Sequence, residues 1–219
     1  MARRAQEERE EPDLTNMVFR NGADRHRQEQ LYRRFHQRGI LPTRYIDEDC
    51  LRDLGLLESV QFMLHESGLH YIATMNLPTY ESLTLEFLIS FSYQTPSTPE
   101  ASQYLIGATT FRLFNMEYTM NQETLSQILH CNHGEGVEYR IPPEEDWKAR
   151  SFEIWECLTN TQVNDWAELL STHIHNPCIL YFHRVLVNTV FGRANNNKVN
   201  AREMYFLHCT QQQKCHKQQ

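Results

Sequence analysis

Residues 176–207, NPCILYFHRVLVNTVFGRANNNKVNAREMYFL, decide the fold class. They read as a helix, a polar loop and a second helix, with a start and stop signal at each boundary. The Asn176 side-chain oxygen can accept from backbone N–H groups that the first turn leaves unpaired. Pro177 suits the first helical position, where a missing N–H is no loss. Ile179, His183, Leu186 and Val190 recur on one helical face, and Phe182 and Val187 broaden it. Gly192 can end the helix by taking a positive φ, which costs glycine little. Asn200 and Glu203 repeat the capping logic for a second helix carrying Met204, Tyr205 and Leu207.

Working outward, the 219 residues suffice for one domain with a sizeable core. The apolar fraction of 40% and a mean hydropathy of -0.61 place the chain among globular proteins with a polar tail. The longest apolar runs, such as Cys178 to Phe182, fall far short of the roughly 20 residues a membrane helix needs, so no membrane association is expected. The first residues, MARRAQEEREEPD, lack the apolar stretch of a secretory signal. The six cysteines, Cys50, Cys131, Cys157, Cys178, Cys209 and Cys215, have no framework spacing and are expected to be reduced, in the nucleus or cytoplasm. Cys157 and Cys178 sit among apolar residues and read as small buried hydrophobes.

Residues 1–14 are polar, rich in Glu and Arg, and read as a disordered tail. A helix is predicted from Ala23 to Gln37, with Leu31, Tyr32 and Phe35 as apolar contacts and Gly39 as its stop. Asp47 or Asp49 can cap a short helix through Leu51 and Leu54 that Gly55 closes. Leu56, Val60, Met63 and Leu64 share the face of the next helix, which Gly68 and Leu69 terminate. In TYESLTLEFLISF (79–91), Tyr80, Leu83, Phe87 and Phe91 recur at helical spacing with Leu88, while Ile89, Phe91 and Tyr93 leave a strand open at its end. Residues 94–102 are a Pro/Ser/Thr loop.

Beyond that loop the period changes from helical to alternating. Thr109, Phe111 and Leu113 alternate with Thr110, Arg112 and Phe114, predicting a small β-hairpin that turns near Asn115. Asn121 caps a helix with Leu125, Ile128 and Leu129, which Gly134 and Gly136 close; 147–158 and 165–170 are two short helices. The expected fold is mainly α (α+β): a single helical domain over 15–210 with one small β-hairpin, between the N-terminal tail and a frayed tail at 211–219.

Three blocks together resemble one family: RRFHQRGILPTRYIDEDCLRDLGLLESVQFMLHESGL (33–69) followed by 79–91; TTFRLFNMEYTMNQETLSQIL (109–129); and 176–207. Their order and spacing resemble the Athila-type plant retrotransposon proteins, in the C-terminal domain of the first open reading frame, and the related plant transposon proteins. The likeness spans about residues 18 to 208. It implies a protein of transposable-element origin with no enzyme activity or ligand to carry over, and a chain cut short on its C-terminal side. The partners it implies are the chain itself or other element-encoded proteins.

Charge is strongly sectored beneath a net value of -7. Between Arg20 and Arg44 stand seven arginines against only Asp24 and Glu29. Arg25, Arg27, Arg33, Arg34, Arg38 and Arg44 are the candidate nucleic-acid contacts, because guanidinium groups neutralise phosphates and fork onto them. Arg27, Arg34 and Arg38 lie near one helical face. The competing reading is a solvated helix whose arginines pair with acids of the same chain.

No catalytic or metal site is expected, and no cofactor. A zinc knuckle needs close cysteine pairs, and the chain has no C-x-x-C. His130, Cys131 and His133 form one compact group, and His208, Cys209, Cys215 and His216 another, without ligand spacing that sets them apart from ordinary surface residues. His183, on an apolar helix face, reads as a core hydrogen-bonding group. Nucleophile-elbow, phosphate-loop and zinc-protease motifs are missing. The acid pairs Asp47/Asp49 and Glu144/Asp146 read as helix-start carboxylates. The expected function is therefore non-catalytic, with a structural or interaction role. The alternatives are a nucleic-acid-binding module using the arginine-rich helix, and a degenerate enzyme related to a transposase.

Overall fold

In chain order the elements are α1 (Ala23–Arg38), α2 (Glu48–Asp53), α3 (Leu57–Glu66), α4 (His70–Thr74), α5 (Glu81–Ser90), β1 (Ser92–Gln94), β2 (Ala108–Leu113), β3 (Met116–Asn121), α6 (Gln122–Ile128), α7 (Glu144–Thr159), α8 (Pro177–Val185) and α9 (Ala201–His216). Single 3-10 turns at Trp166–Glu168 and Ser171–His173 separate α7 from α8, and a π-helical turn, Leu186–Val190, extends α8. The computed structural model describes residues 10–15, 17–19, 23–40, 44–94, 107–130, 144–193 and 195–216, without the side chains of Ala23, Gln122, 144–146 and 211–216. The chain is mainly α-helical with one small antiparallel sheet.

The chain packs as two compact units. One unit comprises Met1–Pro42 and Leu77–Leu125, and the other Thr43–Asn76 and Ser126–Gln219. Each has its own apolar cluster.

The first unit packs α1 and α5 with the sheet. Its core is Phe19, Tyr32, Leu85 and Ile89, with Leu14, Met17, Leu31 and Phe35 against it. Leu14 therefore belongs to the packed structure, although it lies in the stretch read as tail; residues 1–9 are outside the described residues. The sheet runs β1-β2-β3, all antiparallel. The strand signal left open near Tyr93 is β1, added to the predicted hairpin. Phe114 and Asn115 form the two-residue hairpin loop, both at positive φ (55° and 61°). That conformation matches the strand twist but costs roughly 1–2 kcal/mol at each non-glycine residue.

A buried carboxylate offsets this cost. Glu86, only 4% exposed, accepts the Phe114 N–H (2.9 Å) and the Asn115 N–H (2.7 Å) on its two oxygens. The Asn115 side-chain oxygen accepts the Val18 N–H (3.0 Å), tying the turn to the segment before α1. Ser90 continues the polar line, its hydroxyl accepting the Arg112 N–H at 2.8 Å. The inward face of α5 is thus Leu85, Glu86, Ile89 and Ser90, a correction to the stripe predicted through Tyr80, Leu88 and Phe91, which are exposed. The apolar period misled because two of the four inward positions are polar residues bonded to the sheet.

In the second unit, the boundaries follow the sequence closely. The Asp47 carboxylate caps α2 by accepting the Cys50 N–H (2.9 Å). Gly55 and Gly68, at φ 67° and 69°, close α2 and α3. The Leu69 N–H donates to the Leu64 carbonyl (2.9 Å) and the Gly68 N–H to the His65 carbonyl (3.0 Å), satisfying carbonyls the helix end leaves unpaired. Asn176 accepts from both the Cys178 and Ile179 N–H groups (2.9 and 3.3 Å). Ile179, Phe182, His183, Leu186 and Val187 are buried as predicted. The π turn is the departure: the Phe191 N–H reaches back to Leu186 (2.8 Å) and the Arg193 N–H to Val187 (2.8 Å), further than α-helical closure requires. Gly192, at φ 56°, still ends the helix.

Trp155, Phe182, Leu64, Leu169, Met204 and Leu207 form the centre of this unit, all at most 1% exposed. α7 buries Trp147, Ser151, Trp155 and Thr159 on one face, which turns Cys157 outward; it is exposed, against the sequence expectation, whereas Cys178 is partly buried on the core. α9 continues as helix to His216, into the stretch read as a frayed tail.

Between α8 and α9 lies one charged group with no access to solvent. Asn200 and Glu203 form the capping box: the Asn200 oxygen accepts the Glu203 N–H (2.9 Å), and Glu203 accepts the Asn200 N–H (3.1 Å). The same Glu203 carboxylate, fully buried, also holds Arg193 (2.7 Å) and lies 3.1 Å from the buried His183 Nε2. A carboxylate held by Arg193 offers only acceptors, so Nε2 carries the hydrogen and donates. Arg193 also donates to the Lys198 carbonyl (2.7 Å), pinning the loop between the helices.

The two buried acids can be tested by stability measurements. Glu86→Ala strips two turn N–H groups of their acceptor and is expected to cost about 2–4 kcal/mol; amide exchange should accelerate at Phe114 and Asn115 before it does elsewhere. Glu86→Gln should recover little, since only one amide oxygen remains for two donors. Glu203→Ala is expected to cost about 3–5 kcal/mol in urea unfolding, because it leaves Arg193 without its buried partner. Asn200→Ala, which removes the cap and one of several donors to Glu203 (3.1 Å) but leaves Arg193 and His183 on the carboxylate, should cost less, about 1–2 kcal/mol. Equal costs for these two substitutions would reduce Glu203 to a simple cap.

Candidate nucleic-acid interface

α1 positions five of the six predicted arginines. Its inward face is set by Gln28 and Tyr32, both buried, with Leu31 and Phe35 partly buried. Tyr32 and Phe35 are thus packing residues, as their spacing predicts, and not stacking platforms. Burial in this face, followed by the charges of Glu81 and Glu86, raises the Tyr32 phenol above its ordinary value. Arg25, Arg27, Arg33, Arg34 and Arg38 lie on the remaining surface of α1. Arg44 is exposed too, but belongs to the second unit, where its carbonyl accepts the Thr189 hydroxyl (2.9 Å).

The five divide by partner. Arg25 pairs with Glu29 one turn on (2.9 Å), and Arg33 with Glu11 (3.2 Å). These two follow the competing reading, in which local acids absorb the charge. Arg27, Arg34 and Arg38 have no carboxylate partner among the described residues. Seven and four residues apart, they project within about 40° of one another and stretch over about 16 Å of helix. A line of three guanidinium groups on one helix surface can meet successive anionic groups on an extended polyanion, which is geometry suited to a phosphate backbone rather than to one small ligand.

The histidine and cysteine groups separate differently. Cys131 and His133 lie outside the described residues, as do the side chains of Cys215 and His216. Among the described residues no group of three or more His, Cys, Asp or Glu side chains is arranged to hold a metal ion. His65 and His70 stack face to face, centroids 4.0 Å apart with planes at 16°. Parallel rings point their nitrogen lone pairs along parallel planes, a poor arrangement for one shared ion. His130, at φ 50°, packs on Tyr71 with centroids 4.4 Å apart. Cys50, Cys157, Cys178 and Cys209 are free thiols, and burial pushes the Cys209 thiol up.

Of the buried polar groups, His183 occupies the core position its helix face predicts. Glu203 was legible only as a cap, because nothing in a linear sequence brings residue 203 next to residues 183 and 193. The one trace of Glu86 in the sequence is a carboxylate inside an apolar helical period. Asp47 caps α2, and α7 starts at Glu144, in keeping with helix-start acids. No helix among the described residues is long and apolar enough to cross a membrane.

Two findings come from comparison with known proteins. The ATHILA ORF-1 family matches the chain over residues 5–215. No curated protein and no solved structure matches it.

The histidine surroundings set a pH dependence. Burial, and then the neighbouring His65, holds His70 below the ordinary imidazole value of 6.5. Burial, and then Arg150, lowers His208 in the same way. As pH falls through 6.5 the unfolded chain takes up these protons first, so stability is level above that value and declines below it. Urea midpoints should fall between neutral pH and about pH 5, and His70→Gln should flatten part of that slope. A midpoint that rises on acidification would contradict the buried setting of both rings.

Proposed function

The chain belongs to the ATHILA ORF-1 family, and from that premise we propose that it is a non-catalytic, retrotransposon-derived protein that works through binding contacts, with the Arg27–Arg34–Arg38 line of α1 as its surface for nucleic-acid backbone. One observation carries the reading. These three guanidinium groups are aligned on the outer surface of α1 and without a carboxylate partner among the described residues, whereas Arg25 and Arg33 on the same helix are already paired. An aligned set of unneutralised cations on a chain of net charge -7 concentrates positive potential on one helix. Contact would be to phosphates, giving affinity with little sequence preference. Arg44 would add to this surface only if bound nucleic acid also reaches the second unit.

The test is binding of a fluorescent oligonucleotide measured against salt. The logarithm of the binding constant should fall linearly with the logarithm of salt concentration. Replacing Arg27, Arg34 and Arg38 together by Ala should reduce that slope by about 2–3, at roughly 0.7–0.9 for each phosphate no longer neutralised. The Arg25→Ala, Arg33→Ala pair should change it by less. A salt-independent affinity, no binding at low salt, or a triple variant with unchanged slope would each sink the reading.

A further inference from the structure

We propose that Phe114, at the tip of the β2–β3 hairpin, is where an unpaired base of single-stranded nucleic acid stacks while the α1 arginines hold its phosphates. Its role rests on the reading of the arginine line above and adds a preference for single strands. Phe114 is 71% exposed, the most exposed large apolar side chain among the described residues. It stands at φ 55°, where a bulky residue is unusual and glycine or asparagine is the cheap choice for this turn. A residue that costs backbone strain and buries little of its ring points to a use outside the fold. The ring also has a fixed support. Glu86 holds the Phe114 and Asn115 N–H groups (2.9 and 2.7 Å), and the Asn115 side chain holds the Val18 N–H (3.0 Å). With its backbone pinned, an aromatic side chain with two rotatable bonds loses little freedom on contact.

The hairpin lies against the helix that carries the arginines. Arg112, two residues before Phe114, donates to the Gln28 side-chain oxygen (2.9 Å), and Gln28 adjoins Arg27 in α1. Two residues of strand cover about 7 Å. The ring and the arginine line therefore fall within reach of one short strand, since single-strand sites on OB-type folds cover roughly 4–16 nucleotides. Within α1 itself no aromatic is available for stacking, because Tyr32 and Phe35 are packed into the core. Phe114 supplies the missing platform from the far side of the sequence, the Gln28–Arg112 bond spanning 84 positions. An apolar protein pocket can also take a phenyl ring. The aligned Arg27, Arg34 and Arg38, without a carboxylate partner among the described residues, favour a polyanion beside it. Every unpaired base offers a π face for such a ring, whereas a duplex has its bases already stacked and must first be opened.

The probes are a fluorescent oligothymidylate of roughly 12 nucleotides, inside that range, and a duplex of the same length, both bound to the full chain. Phe114→Asn suits the turn and should raise the urea midpoint. It should nonetheless weaken single-strand binding roughly 5- to 150-fold, the worth of one stacked base. Duplex affinity should not change, nor should the salt slope, because a phenyl ring neutralises no phosphate. Phe114→Trp should keep the single-strand affinity. Irradiating the wild-type complex with iodouracil in place of thymine should crosslink the base to Phe114, as read by mass spectrometry of the peptide. Single-strand affinity that Phe114→Asn leaves unchanged, with the salt slope still steep, overturns stacking at Phe114 while the arginine reading stands. It assigns the ring to another partner, such as an apolar protein pocket. An equal loss on the duplex also overturns it. No binding of either probe at low salt sinks both readings.

Discussion

The second unit depends on one buried carboxylate. Glu203 starts α9 as half of its capping box, receives the Arg193 guanidinium, and accepts from the His183 ring on the buried face of α8. The helix that begins at 201, the loop before it and the helix before that therefore share a single anchor. The charge is out of water, so it is tolerated only while every one of these partners stays in place. The π turn fits the same constraint. It delays the end of the α8 extension, so that Gly192 turns the chain and Arg193 is delivered back toward the carboxylate. The loop is further fixed where the Ser171 N–H donates to Asn197 (2.8 Å) and the Val199 N–H to Leu169 (2.9 Å).

The first unit solves a similar problem with a similar device. Its hairpin uses a two-residue turn that favours glycine or asparagine at both positions, yet carries Phe114 at one of them. Glu86 holds the turn by both of its N–H groups from inside the unit. In each unit, then, an acid placed in an apolar period holds a piece of irregular backbone in position. Buried carboxylates most often suggest acid–base chemistry. Here every oxygen is occupied by structural donors, which ties both acids to the backbone they hold rather than to a substrate. The aligned cationic surface of α1 lies in the first unit.

Much of this architecture was legible in residues 176–207 and in the glycine-closed helices before them. Start and stop signals are local: Asn176 and Asp47 bond to N–H groups two or three residues away, and Gly55, Gly68 and Gly192 adopt a conformation that glycine alone takes cheaply. The order of the blocks was enough to indicate the family. The arginine surface was legible in part, since composition located the cluster and helical spacing aligned Arg27, Arg34 and Arg38. Which arginines are already neutralised was hidden, because the Glu11 partner of Arg33 is 22 residues away.

The sequence alone therefore determined the class of fold, most element boundaries and the cationic helix, which rest on interactions within a few residues, and the lineage, which rests on the order of its blocks. Tertiary structure alone decided the rest. It divided the chain into two units, because α5 and the sheet pack with α1 across an intervening stretch that belongs to the other core. It turned Leu85, Glu86, Ile89 and Ser90 inward in place of the more apolar stripe beside them. It also made Glu203 a hub rather than a cap. These outcomes depend on which distant donors meet a given carboxylate, and chain-distant pairing leaves no periodicity for a sequence to display.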